Sequence, residues 1–209
     1  MKIRKLEHSG IIVEENGRAV IFDPIEVNES LPEVDNIDAI IITHGHSDHL
    51  QMQDVVEITT HNPKTRIFCP EDCLNFFART SLNAEAVHAG HTINVGEFEL
   101  EFFGGQHAQI FPGQNLCQNL GCIVNGKFAN PGDSLDLPPA KVAALCVALV
   151  APWLKTHEAV DYINQVKPEF VIPIHDAIAS SMGKMIYRNA FRHSSSDIRI
   201  LESGQETDF

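Results

Sequence analysis

Short apolar runs, bounded by polar or turn-forming residues, recur along the 209-residue chain and predict a fold with many short strands. Two of these runs flank Asn16-Gly17, a dipeptide typical of a two-residue β-hairpin turn. Another run, Asp38-Ala39-Ile40-Ile41-Ile42, indicates a fully buried strand. The predicted strands cover 3–7, 11–15, 19–23, 37–43, 66–69, 86–89, 97–103, 121–124, 146–151, 170–174 and 198–202.

Helical stretches alternate with the strands after the first hairpin. The predicted helices cover 48–60, 71–79, 137–144, 156–166 and 177–191. This order fits two sheets with helices on their outer faces. Hydrophobic residues make up 44% of the chain, and no linker, repeat or low-complexity segment divides it. We therefore expect one α/β domain over residues 1–209.

The segment Thr43-His44-Gly45-His46-Ser47-Asp48-His49 places three imidazoles and a carboxylate directly after the buried strand. Residues two apart in extended backbone point the same way, so His44 and His46 can converge on one ion. Asp48 and His49 would lie on a first helical turn and face a second ion. Asp48 or Ser47 could instead simply cap that helix, but capping does not account for three histidines.

This segment resembles the HxHxDH signature of the metallo-β-lactamase superfamily. The resemblance implies a four-layer αββα sandwich, a third histidine, a bridging acid and a last histidine, each after a later strand. Gly105-Gln106-His107-Ala108 resembles the third-histidine position. Asn130-Pro131-Gly132-Asp133-Ser134 resembles the turn that carries the bridging acid, and Ile172-Pro173-Ile174-His175 resembles the last strand with its histidine.

These residues divide into two ligand sets. His44, His46 and His107 would bind one ion, Asp48, His49 and His175 the other, and Asp133 would bridge them. Mixed nitrogen and oxygen ligands favour two Zn²⁺ ions and are also compatible with Mn²⁺ or Fe. Since such ions lower the pKa of bound water to about 7, the expected reaction is hydrolysis by a metal-bound hydroxide. Asp48 and Asp133 are the predicted catalytic residues, and Asp48 would also orient the hydroxide.

The resemblance extends to the small, lactonase-like branch of the superfamily, related to L-ascorbate 6-phosphate lactonase. It implies a small-molecule ester, lactone or phosphodiester as substrate. The well-known β-lactam hydrolases carry a cysteine at the position of Asp133, which argues against antibiotic hydrolysis. Two alternatives remain open: a metal- or ligand-binding protein without turnover, and a di-iron redox protein of the same fold.

Three further residues are weaker candidates for substrate binding. His8 could lie beside the metal ligands or be an exposed turn histidine. Trp153, the only tryptophan, could form a wall of the substrate pocket or pack in the core. Lys155 could bind an anionic group of the substrate or be a solvated surface residue.

The net charge of −13 disfavours nucleic acid as a partner. The N-terminus lacks the apolar core of a signal peptide, and no apolar run is long enough for a membrane span. We therefore expect a cytoplasmic enzyme with a small-molecule substrate. A chain this short is also compatible with a homo-oligomer.

Overall fold

The computed structural model describes residues 1–25 and 35–209 and arranges their strands in two mixed sheets of seven strands each. The first sheet has the order β14-β1-β2-β3-β4-β5-β6 and the second the order β13-β12-β11-β10-β9-β8-β7. In the first sheet the strands are β1 (Lys2–Lys5), β2 (Ile11–Glu15), β3 (Arg18–Phe22), β4 (Ile37–Ile41), β5 (Arg66–Cys69), β6 (Ala84–Ala86) and β14 (Glu206–Asp208). In the second they are β7 (Thr92–Val95), β8 (Phe98–Gln106), β9 (Gln118–Val124), β10 (Phe128–Asn130), β11 (Ala144–Ala148), β12 (Phe170–Ile174) and β13 (Asp197–Ile198).

The two sheets pack face to face across a core of alternate strand residues, such as Val13, Phe22, Phe102 and Phe128. Helices cover the outer faces. The first sheet carries α1 (Met52–His61) and α2 (Leu74–Phe77), and the second carries α3 (Thr156–Val166) and α4 (Ser181–Phe191). This is the predicted αββα sandwich. Among the described residues, no helix has the length and apolar character needed to cross a membrane.

The predicted hairpin at Asn16-Gly17 is confirmed, since β2 and β3 pair antiparallel around it and both turn residues have positive φ. Three short strands, β7, β10 and β14, were missed. Each has only three or four residues, too few for an alternating pattern to stand out.

The predicted helix at 137–144 is wrong. Residues 137–143 form irregular chain and Ala144 begins β11. Leu137 and Pro138 each precede a proline, which disfavours helical backbone at both, and Ala143 N and Ala144 N donate to Lys127 O instead of to a helical carbonyl. Two other helices begin later than predicted. One starts at Met52 instead of residue 48, and the other at Ser181, where the Ser180 hydroxyl accepts a hydrogen bond from Gly183 N.

The carboxyl ends of several strands meet at one edge of the sandwich. In the first sheet, β3 and β4 run parallel. In the second, β10, β11 and β12 run parallel, and β8 has the same direction because both β8 and β10 pair antiparallel with β9. A hydrogen bond of 2.9 Å from Leu120 N to Thr43 O joins the two sheets there. Residues that follow these strands are therefore brought together.

Candidate metal centre

The HxHxDH segment lies in a tight turn between β4 and α1. The His46 carbonyl accepts hydrogen bonds from His49 N at 3.0 Å and Leu50 N at 2.9 Å, which fold the segment back on itself. The helix α1 begins only at Met52, so the expectation that Asp48 and His49 lie on its first turn is wrong. Asp48 is not the helix cap either, because Gln51 occupies that position.

The turn brings its histidines together with His107, which follows β8. His44, His46 and His107 each offer a nitrogen, and all three nitrogens lie within 4.8 Å of one another. His44 Nε2 and His46 Nδ1 are 3.1 Å apart. This is the ligand set predicted for the first ion.

Asp133 lies between this set and the remaining histidines. Its Oδ2 atom is 3.4 Å from His107 Nε2 and 3.3 Å from His175 Nε2, while its Oδ1 atom is 3.2 Å from His49 Nε2. His49, Asp133 and His175 form a second close group, and Asp48 Oδ2 is 3.3 Å from His175 Nε2. The structure thus brings all seven predicted ligands together, with Asp133 between His107 on one side and His49 and His175 on the other.

The turn that carries Asp133 requires a glycine. Gly132 has φ +63°, and a Cβ atom there would lie 2.4 Å from Asn119 Oδ1. That oxygen accepts a hydrogen bond of 2.9 Å from Asp133 N, and Asn119 Nδ2 donates to Pro131 O. The close approach therefore fixes the backbone at Asp133.

Hydrogen bonds on the outer side of the ligands orient their rings. Nδ1 of His107 donates to Ala108 O at 2.5 Å, and Nδ1 of His175 donates to Val150 O at 2.8 Å. His49 Nδ1 donates to Asp23 Oδ2 at 2.8 Å. In each ring the Nε2 atom is left to face the cluster, which is how metal-binding histidines are held.

These inward atoms have no hydrogen-bond partner. Nε2 of His49, His107 and His175 and Oδ1 of Asp133 are all buried and unbonded. Buried polar atoms are nearly always satisfied in folded proteins, so a convergent group of orphans points to a missing ligand. Nitrogen and carboxylate donors that face one point fit divalent cations.

Asp23 is a fully buried residue of the site that the sequence analysis did not single out. Its carboxylate accepts hydrogen bonds from Thr43 N and Thr43 Oγ1, each at 2.7 Å, as well as from His49. Because the Thr43 hydroxyl donates to Asp23, it is free to accept from His44 Nδ1 at 3.1 Å. Asp23 thus orients two ligands. The available signal was an acid at the end of the predicted strand 19–23.

The electrostatics of the cluster depend on close carboxylate–imidazole pairs. Burial opposes protonation of His49, but Asp133 and Asp23 outweigh it and raise its pKa to about 10. For His175, Asp133 and Asp48 likewise overcome burial and raise the pKa to about 9. The nearby imidazole of His175, 3.3 Å away, and the hydrogen bond from His8 hold the pKa of Asp48 far below its usual range.

His8 lies beside Asp48 and is buried, so the alternative of an exposed turn histidine is wrong. Its Nδ1 accepts a hydrogen bond from Ala177 N at 3.2 Å, which leaves the proton on Nε2. That nitrogen is 3.3 Å from Asp48 Oδ2 and donates to it. The His8 carbonyl also accepts from His175 N at 2.8 Å. His8 therefore supports two predicted ligands.

Left-handed backbone recurs at the site. His8, Asp23 and His175 have φ values of 52°, 43° and 60°, a region that residues other than glycine rarely adopt. Such strain persists only where the surrounding structure enforces it, and it tends to cluster at functional sites.

A cavity of about 270 Å³ opens onto the cluster. Ile110, Pro152 and Trp153 supply the apolar part of its lining, and His46, Ser47, Asp48, His107, Asp133 and His175 the polar part. Trp153 thus lines the cavity instead of packing in the core, and its Nε1 donates to Asp133 Oδ2 at 2.8 Å. Lys155 does not reach the cavity. Its side chain is 73% exposed and lies 3.4 Å from Glu158 Oε1.

A sandwich of two sheets with this cluster at its edge defines a class of protein. Residues 2–175 match the profile of the beta-lactamase superfamily domain. The match covers well over half of the chain, and the chain therefore belongs to this superfamily. The predictions of family and fold from the HxHxDH segment are confirmed.

Individual relatives extend over the whole chain. The protein Rv0786c of Mycobacterium tuberculosis is 28% identical over 207 residues, which is 96% of each chain. A UPF0173 metal-dependent hydrolase from Carboxydothermus hydrogenoformans is 27% identical over 230 residues, which is 98% of each chain.

Solved structures show the same fold. Igni18, a metallo hydrolase from the archaeon Ignicoccus hospitalis, has a TM-score of 0.73 at 16% identity, with 100% of this chain and 98% of Igni18 covered. CmlA, a diiron β-hydroxylase from Streptomyces venezuelae, has a TM-score of 0.73 at 12% identity, with 100% of this chain and 54% of CmlA covered. At these identities the likeness is one of fold alone.

Proposed function

We propose that this protein is a metal-dependent hydrolase of a small-molecule ester, lactone or phosphodiester, and that it uses two divalent ions, preferably Zn²⁺. The observation that carries the proposal is the group of buried, unbonded atoms around Asp133, namely Nε2 of His49, His107 and His175 and Oδ1 of Asp133 itself. The names of similar proteins, such as the metal-dependent hydrolase of Carboxydothermus hydrogenoformans, agree with the general class.

His44, His46 and His107 would hold one ion, and Asp48, His49 and His175 the other, with Asp133 shared between them. Divalent ions at such a site supply a Lewis acid and lower the pKa of coordinated water to about 7, which makes hydroxide available at neutral pH. The contribution of the protein is to fix its ligands before any ion arrives. Asp23, His8 and the Val150 carbonyl do this through the hydrogen bonds described above.

Asp48 is open to the cavity, with 44% of its side chain exposed. His8 holds one of its oxygens, and the other carboxylate oxygen can accept a hydrogen bond from the attacking nucleophile. In this role Asp48 orients the nucleophile toward the substrate.

The substitution Asp48→Asn tests this role. Positioned proton acceptors contribute about 10²–10⁴-fold to rate, so we expect kcat to fall by at least about 10²-fold. Metal content is measured in the same preparation by elemental analysis. A variant that retains both its ions and its activity would contradict the role of Asp48.

The decisive experiment is a panel of hydrolysis assays with metal-reconstituted protein. Lactone, phosphodiester, phosphomonoester and thioester substrates are compared, with chelated protein and Asp133→Ala as the inactive controls. Asp136→Ala is the matched control, because that exposed carboxylate lies three residues further along the same loop. We expect turnover of one substrate class that is lost in chelated protein and in Asp133→Ala but kept in Asp136→Ala.

Two bound ions without turnover of any substrate would overturn hydrolysis and favour a second candidate. CmlA shares the fold and is a diiron β-hydroxylase, so a di-iron redox role is that candidate. Elemental analysis and visible absorption of the purified protein distinguish the two, because bound Zn²⁺ has no d–d bands. A protein that holds two ions but shows neither activity would be a metal- or ligand-binding protein.

A further inference from the structure

One short segment after β11 supports two of the predicted metal ligands. Residues 149–154 follow β11 directly. Leu149 N still donates to Ile174 O of the neighbouring strand, and the chain then turns, with Leu154 N donating to Ala151 O. Within this segment the Val150 carbonyl accepts from His175 Nδ1 at 2.8 Å. Three residues later, Trp153 Nε1 donates to Asp133 Oδ2 at 2.8 Å.

The position of the carboxylate oxygen that accepts the Trp153 hydrogen bond gives this bond its importance. Asp133 Oδ2 is the oxygen that lies between His107 Nε2, at 3.4 Å, and His175 Nε2, at 3.3 Å, so it faces both ligand sets. The indole ring also meets His107 edge to face, with ring centroids 6.2 Å apart and an interplanar angle of 77°. Trp153 therefore contacts two ligands at once.

Binding of ions would increase the importance of this contact. Nε2 atoms that held an ion would carry no proton and could not donate a hydrogen bond to Asp133. Among the hydrogen bonds of residues 1–25 and 35–209, the Trp153 indole is then the remaining donor to that carboxylate. A neutral donor suits this place, because it fixes the carboxylate without adding a positive charge beside the ions.

We propose that Trp153 is a positioning residue of the metal centre, which holds Asp133 in its bridging orientation through the indole N–H. This inference depends on the two-ion site of the proposed function. The inference gives Trp153 a role beyond lining the substrate pocket. Lining the pocket needs only the aromatic ring, whereas positioning Asp133 needs the indole N–H.

The substitution Trp153→Phe separates the two roles, because it keeps an aromatic ring and removes the N–H. Affinity and stoichiometry for Zn²⁺ are measured by competition with a chromophoric chelator. Loss of a hydrogen-bond partner of a metal ligand costs about 10–100-fold in affinity, so we expect the weaker of the two ions to bind at least about tenfold less tightly. Phe111→Leu is the matched control, an exposed aromatic next to the cavity-lining Ile110, and should bind like the wild type.

Circular dichroism of the metal-free variants checks that both are folded. If folded Trp153→Phe binds both ions as tightly as the wild type does, the inference is overturned and the proposed hydrolase function is unaffected. If the wild type itself binds fewer than two ions, the proposed function and this inference both fail. Equal losses of Zn²⁺ affinity in Trp153→Phe and Phe111→Leu would also overturn the inference, because the effect would then not depend on the indole nitrogen.

The wild type offers a second, independent readout. Trp153 is the only tryptophan, so the fluorescence of the protein reports on this indole alone. We expect its emission to change in step with Zn²⁺ binding and with the same midpoint as the chelator competition. An emission that does not respond while two ions bind would contradict contact between Trp153 and the metal-bridging carboxylate.

Discussion

His175 and Asp176 are neighbours in sequence, yet they belong to two polar clusters with opposite character. His175 faces the metal centre, where its Nε2 atom has no hydrogen-bond partner. Asp176 faces a cluster of cations that we call the Asp176 cluster. Its carboxylate lies 3.0 Å from Lys5 Nζ, 3.0 Å from Lys184 Nζ and 3.5 Å from an Arg188 nitrogen.

The difference shows how a binding site and a structural site can be told apart in one structure. Both clusters are buried and charged, but every oxygen of Asp176 is paired, and Lys5 and Lys184 overcome burial to hold its pKa below the usual range. At the metal centre, several buried donors and acceptors are left without partners. Among the described residues of the Asp176 cluster, only Arg188 Nε is buried without a partner, whereas four such atoms converge at the metal centre. A nearly completed network stabilises the fold, whereas a convergent group of unpaired atoms implies a ligand.

Breaking the Asp176 cluster should have the largest effect on stability. In Asp176→Ala the buried Lys5 ammonium loses its carboxylate partner, and such a change typically costs about 3–5 kcal/mol of unfolding free energy. Urea denaturation of metal-free protein measures it. Zn²⁺ stoichiometry of the folded fraction should stay at the wild-type value. A stable variant that has lost its ions would mean that Asp176 belongs to the metal centre.

Removing the charge of Asp23 should lower metal affinity more than it lowers the stability of the fold. Asp23→Asn leaves a side chain of the same shape but weakens the hydrogen bonds that orient His49 and Thr43, so metal affinity should fall by about 10–100-fold. Asp38→Asn is the matched control, since that buried carboxylate on β4 pairs with Arg18 instead. Equal affinities in the two variants would show that Asp23 does not orient the ligands.

The Zn²⁺ affinity of the metal centre should also depend on pH. Its protonated histidines, with pKa values of about 10 for His49 and about 9 for His175, must each lose a proton before Nε2 can bind an ion. Apparent Zn²⁺ affinity should therefore rise between pH 6 and pH 8, by about tenfold per pH unit for each proton released. Calorimetric titrations in buffers of different ionisation enthalpy count the protons. An affinity independent of pH would contradict the protonated state of the two rings.

The smallest effect is expected at Lys155, which lies outside both clusters. Its side chain is exposed and pairs with Glu158 on the surface, and such pairs contribute little. Lys155→Met should therefore keep KM and kcat within about twofold for whichever substrate the assay panel identifies. A large rise in KM would restore Lys155 as a substrate-binding residue.

Much of the metal centre was predictable because its ligands follow strands. The HxHxDH segment is contiguous, and His107, Asp133 and His175 each come after a strand whose apolar pattern is readable. Since those strands end at one edge of the sandwich, their following residues meet there. Predictions failed where the local signal was ambiguous or too short. The stretch 137–144 was predicted as a helix, but the backbone before Pro138 and Pro139 disfavours the helical conformation and Ala143 and Ala144 pair with Lys127 O. The three missed strands span only three or four residues.

The contacts that complete the centre required the folded chain. His8, Asp23 and Trp153 come from three distant segments, and each donates to or accepts from a predicted ligand. The contiguous HxHxDH segment and the readable strands identified the family by resemblance, and the resemblance implied the αββα sandwich and the predicted ligands. The tertiary structure alone decided which predicted ligands have outer partners, that Lys155 lies apart and that Asp176 pairs with Lys5 and Lys184. Hydrogen-bond partners are chosen by distance and direction in space, and the spacing of residues along a chain does not contain that information.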